Sequence, residues 1–135
     1  MRTTDDVFHL AVPARDLDEA QRFYVDMLGC KLARHYADRI TIDFFGDQLV
    51  CHLFEDLPPT PRPLSLYPRH FGVTFRAAAD FDALHECAVI RKVPFFREMA
   101  VRFEGMVEEH RTFVLVDPSD NLLEFKHYND PRMMY

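Results

Sequence analysis

Apolar and polar residues alternate at the start of the chain and then change to a helical period. The alternation in residues 6–13 predicts a strand, with His9 on the face opposite the larger apolar side chains. Asp16, followed three residues later by Glu19, is typical of a helix start in which an aspartate is the cap. Apolar residues at helical spacing follow, and Gly29 suits the left-handed position after the last turn. The chain therefore begins with a predicted strand and helix.

Three short strands are predicted after this helix, at about 31–37, 39–45 and 48–54. The sequence FGDQ is typical of the turn between the last two of them. Residues 55–68 contain five prolines, which remove backbone donors and fix φ. We therefore expect this segment to be a linker.

The pattern of the first half restarts after the proline-rich segment. Residues 69–76 alternate like a strand that carries His70, Asp80 is a candidate helix cap, and Pro94 ends the helical pattern. Three strand-like segments follow, at about 95–103, 110–117 and 121–127. Each half thus reads as a strand, a helix and three strands, which indicates an internal duplication with a histidine at the same place in each half.

The composition favours a cytoplasmic globular protein. The 135 residues are 48% hydrophobic, which is ample for a packed interior. The net charge is −6 and the basic residues are scattered, so we expect no nucleic-acid partner. No apolar run is long enough to cross a bilayer, and acidic residues stand where a signal peptide needs basic ones, so we expect no membrane association. The three widely spaced cysteines fit neither a disulfide framework nor a zinc ribbon.

Small side chains share the strand faces of both histidines. His9 is flanked on its face by Ala11, and His70 by Gly72 and Thr74. A curved sheet lined by small residues can enclose a cavity, where a histidine suits a ligand role. A hydrogen-bonded structural histidine is the alternative at each position.

The last predicted strand adds a carboxylate to this face. Alternation in NLLEFKHY sets Leu123, Phe125 and His127 on the side expected to pack against a helix, and Glu124 on the cavity side. Burying a carboxylate is costly unless its charge is offset. Two histidines and one carboxylate would bind a metal and leave coordination positions open, whereas Lys126 or an arginine would form a salt bridge. The pattern leaves both interpretations open.

The fourth strand offers one more candidate ligand. Aligning the two halves by their turns sets Cys51 against Glu124 and leaves His52 one residue away, on the opposite face. A one-residue bulge would turn His52 inward. We therefore keep His52 as a candidate fourth ligand.

Three segments together resemble a known superfamily. FHLAVPARDLDEAQRFYVDMLGCKL, HFGVTF and DPSDNLLEFKHY, in this order, are similar to the vicinal oxygen chelate superfamily. This superfamily contains glyoxalase I, bleomycin-resistance proteins, fosfomycin-resistance enzymes and extradiol dioxygenases. The resemblance implies an α+β fold in which the curved mixed sheets of two βαβββ modules surround a central metal-binding cavity. We expect a single domain, 1–135, with modules at about 1–54 and 69–128 and the linker at about 55–68 between them.

The resemblance also implies the ligands. His9, His70 and Glu124 match the metal ligands of the first, fifth and eighth strands, and the ion expected is divalent: Fe²⁺, Ni²⁺, Zn²⁺ or Mn²⁺. Four-ligand members take a Glu or Gln from the fourth strand, where this chain has Cys51 or His52.

The function implied is that of a metal-dependent enzyme acting on a small molecule, either a dioxygenase or a lyase or isomerase. The metal would bind substrate oxygens as a Lewis acid, with Glu124 as the candidate catalytic carboxylate. The alternative is a metal-free binding protein of the bleomycin-resistance kind. The longer loop of the second half offers Arg102, Glu104 and His110 as candidate substrate contacts. Since members often pair, we expect a homodimer.

Overall fold

The computed structural model describes Thr3 and residues 5–135. The chain forms two compact units, Met1–Thr60 and Pro61–Tyr135. Each unit contains one four-stranded mixed sheet and one main helix, so the predicted α+β fold of βαβββ modules is confirmed. Among the helices of the described residues, none is both long and apolar enough to span a membrane.

The first unit contains four strands: β1 (His9–Ala14), β2 (Lys31–His35), β3 (Arg39–Phe44) and β4 (Asp47–Leu53). Their order in the sheet is β1-β4-β3-β2, with β1 and β4 parallel and the other pairs antiparallel. Strand β1 begins at His9 rather than at residue 6, and Val7 and Phe8 before it are exposed. The predicted order of elements in the first half is confirmed.

Helix α1 (Leu17–Gln21) starts where its sequence predicts. Asp16 is the N-cap, and its Oδ1 accepts a hydrogen bond from the backbone N–H of Glu19 at 2.9 Å. The helix continues as a π-helical segment, Arg22–Met27, and Gly29 follows with φ of 80°. A positive φ costs glycine little, which explains this residue after the last turn.

The second unit contains β5 (Phe71–Thr74), α2 (Ala78–Ile90), β6 (Phe95–Arg102), β7 (His110–Val116) and β8 (Leu122–Tyr128). The order of its strands is β5-β8-β7-β6, with β5 and β8 parallel and the rest antiparallel. This order repeats that of the first unit strand for strand. The internal duplication indicated by the sequence is therefore present in the topology.

Helix α2 begins earlier than its predicted cap. Its N-cap is Ala77, which makes no side-chain capping bond, and Asp80 lies in the first turn instead. A carboxylate in the first turn still interacts favourably with the positive end of the helix dipole. The helix buries Phe81, Leu84 and Ala88, and it packs on the face of the sheet that carries the predicted helix-side residues of β8.

The proline-rich segment 55–68 forms no helix or strand, as predicted. Its last part belongs to the second unit, where Leu66 is buried against Val114 and Leu122. These two residues lie on the sheet face opposite α2. The segment thus contributes to the packing of that face in addition to joining the modules.

Candidate metal and substrate site

The centre of the site in the second unit is a contact between His70 and Glu124. His70 comes just before β5, and Glu124 lies in the middle of the neighbouring strand β8. The Nε2 atom of His70 lies 3.1 Å from Oε2 of Glu124, and the two side chains are 25% and 10% exposed. The sequence prediction that Glu124 faces away from the helix is therefore correct.

The backbone fixes the tautomer of His70. Its Nδ1 lies 2.9 Å from the carbonyl oxygen of Leu66. Because a carbonyl oxygen can only accept a hydrogen bond, Nδ1 must carry a proton and donate it. In the neutral imidazole the lone pair is then on Nε2, the atom that is next to Glu124. A histidine held in this way by a backbone carbonyl is typical of metal-ligating histidines.

Two further side chains contact the carboxylate of Glu124. The hydroxyl of Thr112 donates to Oε1 at 2.8 Å, and Nζ of Lys126 lies 3.1 Å from Oε2. The ammonium group offsets the charge of this largely buried carboxylate. The salt bridge to Lys126 that the sequence left open is thus formed.

The donor atoms of His70 and Glu124 fit a divalent cation. Two ligands that are each about 2.1 Å from one ion, at about a right angle, lie about 3.0 Å apart. The observed distance of 3.1 Å between Nε2 and Oε2 agrees with that spacing. Imidazole and carboxylate together suit iron, nickel, zinc and manganese. In the part of the chain that the structure describes, no group of three His, Cys, Asp or Glu side chains is arranged to hold a metal ion, so the second unit supplies two donors.

A cavity of about 250 Å³ opens on this face of the second sheet. Glu124, Lys126 and Thr112 line it together with residues of β6 and β7. The cavity lies on the sheet face opposite the helix, as the sequence predicted.

The first unit holds His9 in a similar way. His9 and Gln48 are paired across β1 and β4, and Nδ1 of His9 lies 2.6 Å from the side-chain oxygen of Gln48. His9 is exposed. With Nδ1 donating to that oxygen, its Nε2 is the atom available for a ligand.

The side chains of strand β4 lie on the opposite faces from those that the alignment of the two turns predicted. Cys51 is fully buried and is paired with Ile40 and Val12, on the face that packs against the helix. His52 is exposed and is paired with Pro13, so it lies on the same face as His9 without any bulge. The prediction that His52 needs a bulge to reach this face is therefore wrong.

The strand pairing explains this difference of one residue. Ala11 pairs with Val50 in the first unit as Gly72 pairs with Glu124 in the second. Val50, rather than Cys51, is thus the counterpart of Glu124. The alignment based on the turns before the two strands is therefore wrong by one residue. An error of one residue assigns every side chain of the strand to the opposite face.

The candidate substrate residues of the second half separate into two groups. Arg102 and His110 line the cavity, while Glu104 lies in an exposed turn outside its lining. His110 is buried, and its Nδ1 donates to the carbonyl of Glu108 at 2.8 Å. Arg97 also lines the cavity and was not predicted. The register of β6 with β7 would have indicated it, but that strand contains bulges that its sequence does not reveal.

His127 has the position expected of a structural residue. It lies on the opposite face from Glu124, and its ring centroid is 6.4 Å from that of Phe81 in α2. Its Nδ1 donates to the carbonyl of Phe75 at 3.1 Å. It therefore contributes to the packing between helix and sheet.

Two βαβββ units of the same topology define this chain as a paired-module protein of the glyoxalase fold. The chain belongs to the Glyoxalase/Bleomycin resistance protein/Dioxygenase superfamily, whose family model matches residues 6–125. Members of this superfamily commonly use divalent metals, bind small-molecule substrates and often form dimers. The resemblance to the vicinal oxygen chelate superfamily is thus confirmed.

Solved structures agree with this assignment. A glyoxalase/bleomycin resistance protein/dioxygenase from Alicyclobacillus acidocaldarius is 63% identical, with a TM-score of 0.92 and 100% of both chains covered. A lactoylglutathione lyase from Agrobacterium tumefaciens is 18% identical, with a TM-score of 0.67 over 93% of this chain and 96% of that one. A fosfomycin resistance protein from Listeria monocytogenes is 13% identical, with a TM-score of 0.68 over 99% and 100%. At such low identity the last two share the fold alone.

Proposed function

We propose that the protein is a small metal-dependent enzyme of the glyoxalase/dioxygenase type. In this proposal His9, His70 and Glu124 hold a divalent ion, Fe²⁺, Ni²⁺, Zn²⁺ or Mn²⁺. The ion would supply Lewis-acid chemistry toward the oxygen atoms of a small organic substrate. The reaction is then that of a dioxygenase or of a lyase or isomerase.

The single observation that carries the proposal is the contact between His70 and Glu124. The imidazole has its Nδ1 proton bound by the carbonyl of Leu66, and its Nε2 is 3.1 Å from the carboxylate. An Nε2 lone pair that faces a carboxylate oxygen is unfavourable unless a proton or a metal ion lies between the two atoms, so this arrangement suits a pair of metal ligands. His9, which is held by Gln48 in the same sense, is the proposed third ligand.

The chain's own residues would prepare the site for chemistry. Thr112 orients the carboxylate of Glu124 through its hydrogen bond to Oε1. The ammonium group of Lys126 lies 3.1 Å from Oε2 of that carboxylate and offsets its negative charge. Glu124 is the proposed catalytic carboxylate, since it is the acidic side chain that contacts His70 and lines the cavity. His52 remains a proposed further ligand, because it shares a sheet face with His9.

A metal-free binding protein of the bleomycin-resistance kind is the second candidate. The observation that favours it is the ion pair between Lys126 and Glu124, which offsets the carboxylate's charge without any ion. Under this alternative, the cavity would bind a small molecule and release it unchanged.

Metal analysis separates the two functions. Protein purified without a tag would be loaded with each of the four ions, freed of excess metal and measured by mass spectrometry. We expect about one ion per chain in the wild type and substantial loss in His9→Ala, His70→Ala and Glu124→Gln. His35→Ala is the matched control, because His35 is an exposed histidine that bonds to Gln21 in the first unit.

The outcomes decide each part of the proposal. Metal content equal in the wild type, the control and the His70→Ala variant would reject the metal site and favour the binding protein. Loss in His52→Ala as well would assign four ligands rather than three. We also propose a homodimer, which light scattering of the wild type tests directly.

A further inference from the structure

The cavity of the second unit is locally positive in an acidic protein. Arg97, Arg102 and Lys126 line it, against the two carboxylates of Glu98 and Glu124. The whole chain has a net charge of −6. The cavity therefore concentrates positive charge where the rest of the molecule is negative, and such a field attracts anions.

The guanidinium groups of the two arginines lie over phenylalanine rings, Arg97 over Phe96 at 5.6 Å and Arg102 over Phe103 at 5.9 Å, and these contacts leave their charge unneutralised. The ammonium of Lys126 is already engaged by Glu124 at 3.1 Å. Within the described part of the chain, neither Arg97 nor Arg102 forms an ion pair with a carboxylate. A divalent ion bound to Glu124 would make the cavity more positive still. The positive charges of Arg97 and Arg102 therefore cannot neutralise such an ion, and another role is needed to explain them.

The register of β6 with β7 determines which side chains line the cavity between the two arginines. On this face, Arg97 pairs with Val114 near one end, and Arg102 pairs with His110 at the other. The pair between them is Ala100 with Thr112, whose side chains are small. Small residues between two arginines leave space for a ligand group above the sheet.

Aromatic rings complete the cavity. Phe103, Tyr67 and Tyr128 line it, and the ring of Tyr128 lies 4.5 Å from that of His110 by their centroids. Phe103 is 53% exposed, which is a large apolar surface for a residue beside a cavity. Flat rings of this kind pack well against an aromatic ligand.

We propose that the substrate of this site is a small aromatic acid whose carboxylate is bound by Arg97 and Arg102. Guanidinium groups match the planar carboxylate and can donate two parallel hydrogen bonds to it. The inference rests on the proposed function, since it names the class of molecule that the metal site would act on. Arg97 and Arg102 are then specificity-determining residues and take no part in holding the ion.

Benzoate and benzamide are the probes that test this inference. They share a ring and a shape but differ in charge, and their binding to the wild-type protein can be followed by NMR titration. We expect benzoate to shift the resonances of cavity residues and to bind about tenfold more tightly than benzamide. Arg97→Gln and Arg102→Gln should each weaken benzoate binding by about tenfold and leave benzamide binding unchanged.

The matched control is Arg111→Gln. Arg111 lies on the same sheet, but its guanidinium pairs with Asp82 of α2 at 2.6 Å, so it belongs to the helix face. This variant should bind benzoate like the wild type. Equal affinity for benzoate and benzamide, no shifts in cavity residues, or full benzoate binding in both cavity-arginine variants would overturn the inference.

Metal content measured on the same samples separates this inference from the proposed function. The arginine variants should lose benzoate affinity and keep their metal. The His70→Ala variant, dialysed like the others, should lose metal and keep the charge-dependent preference for benzoate. Loss of that preference in the arginine variants together with unchanged metal in His70→Ala would reject the metal site alone.

Discussion

Gly72 and Glu124 face each other across β5 and β8 with no space for a side chain between them. A Cβ atom added to Gly72 would lie 1.7 Å from the backbone carbonyl oxygen of Glu124. His70 precedes this glycine by two residues and contacts the Glu124 side chain. The sequence suggested that Gly72 is small in order to leave room in a cavity. The structure gives another reason, which is the close approach of the backbone that holds both candidate ligands.

Gly72→Ala should therefore disrupt both the stability and the site. The added methyl group must push β5 away from β8, at a cost of about 3 kcal/mol in the free energy of unfolding. Urea unfolding followed by circular dichroism measures this loss. Displacement of β5 also moves His70 relative to Glu124, so the metal content of the folded variant should fall.

Gly105→Ala is the control for this prediction. Gly105 also has a positive φ, 77°, but nothing lies within 4 Å of the position of an added Cβ. An alanine at this position should cost only the strain of holding a left-handed backbone conformation, about 1–2 kcal/mol in the free energy of unfolding. The metal content should remain unchanged. Equal losses in the two variants would mean that the contact between Gly72 and Glu124 is unimportant.

Local signals in the sequence were enough to predict the elements of the fold. Asp16 and Gly29 mark the ends of the first helical segment by capping chemistry that needs no tertiary partner. Asp80 failed as a predicted cap because the helix begins at Ala78, where nothing in the side chains marks the start. Boundaries without a capping side chain depend on tertiary packing, which a single sequence does not encode locally.

The site was predictable only where alternation alone decides the face. Glu124 follows from the alternation of β8, whose helix side is marked by Leu123 and Phe125, both fully buried. His52 and Cys51 required the register between strands, which depends on hydrogen bonds to distant residues. Turn similarity is a poor substitute for that register, since an error of one residue inverts the faces.

His127→Ala should show the opposite pattern from His70→Ala. His127 packs on Phe81 and bonds to the carbonyl of Phe75, so its loss should cost about 1–2 kcal/mol in the free energy of unfolding. Its metal content and benzoate affinity should remain those of the wild type. Thermal unfolding and metal analysis of both variants check this, and a loss of metal in His127→Ala would contradict a structural role.

The buried thiol of Cys30 should make stability depend on pH in the alkaline range. Burial, and to a smaller extent the carboxylate of Asp43, raises the pKa of Cys30 from 9.0 to about 12. Between these two values the unfolded chain loses the proton and the folded chain keeps it. Folding stability from this group is therefore complete below about pH 9 and falls as the pH rises, by at most about 1.4 kcal/mol per pH unit.

Cys30→Ala isolates this contribution. The variant loses packing at every pH, but it has no thiol to ionise in the unfolded chain. The difference in unfolding free energy between wild type and variant should therefore shrink between about pH 8 and about pH 10.5. Chemical denaturation at several pH values measures it, and a constant difference would show that the thiol ionises equally in both states.

Asp117 should be the most sensitive residue of the turn that leads into β8. Its carboxylate is buried and accepts hydrogen bonds of 2.8 Å from the backbone N–H groups of Ser119 and Asn121 and from the Asn121 side chain. Asp117→Ala removes the acceptor of these three hydrogen bonds, and we expect a loss of about 3 kcal/mol in the free energy of unfolding. Asp117→Asn keeps one oxygen, which can accept from the two backbone N–H groups, but it places an NH₂ group opposite the Asn121 side-chain donor. The loss in unfolding free energy should therefore be smaller than for Asp117→Ala.

Asp82→Ala is the control, because it removes an exposed partner of Arg111 and should cost less than about 1 kcal/mol. Urea unfolding of the three variants should rank them in this order, and a loss for Asp117→Ala no larger than that for Asp82→Ala would contradict the role of the carboxylate in fixing the start of β8.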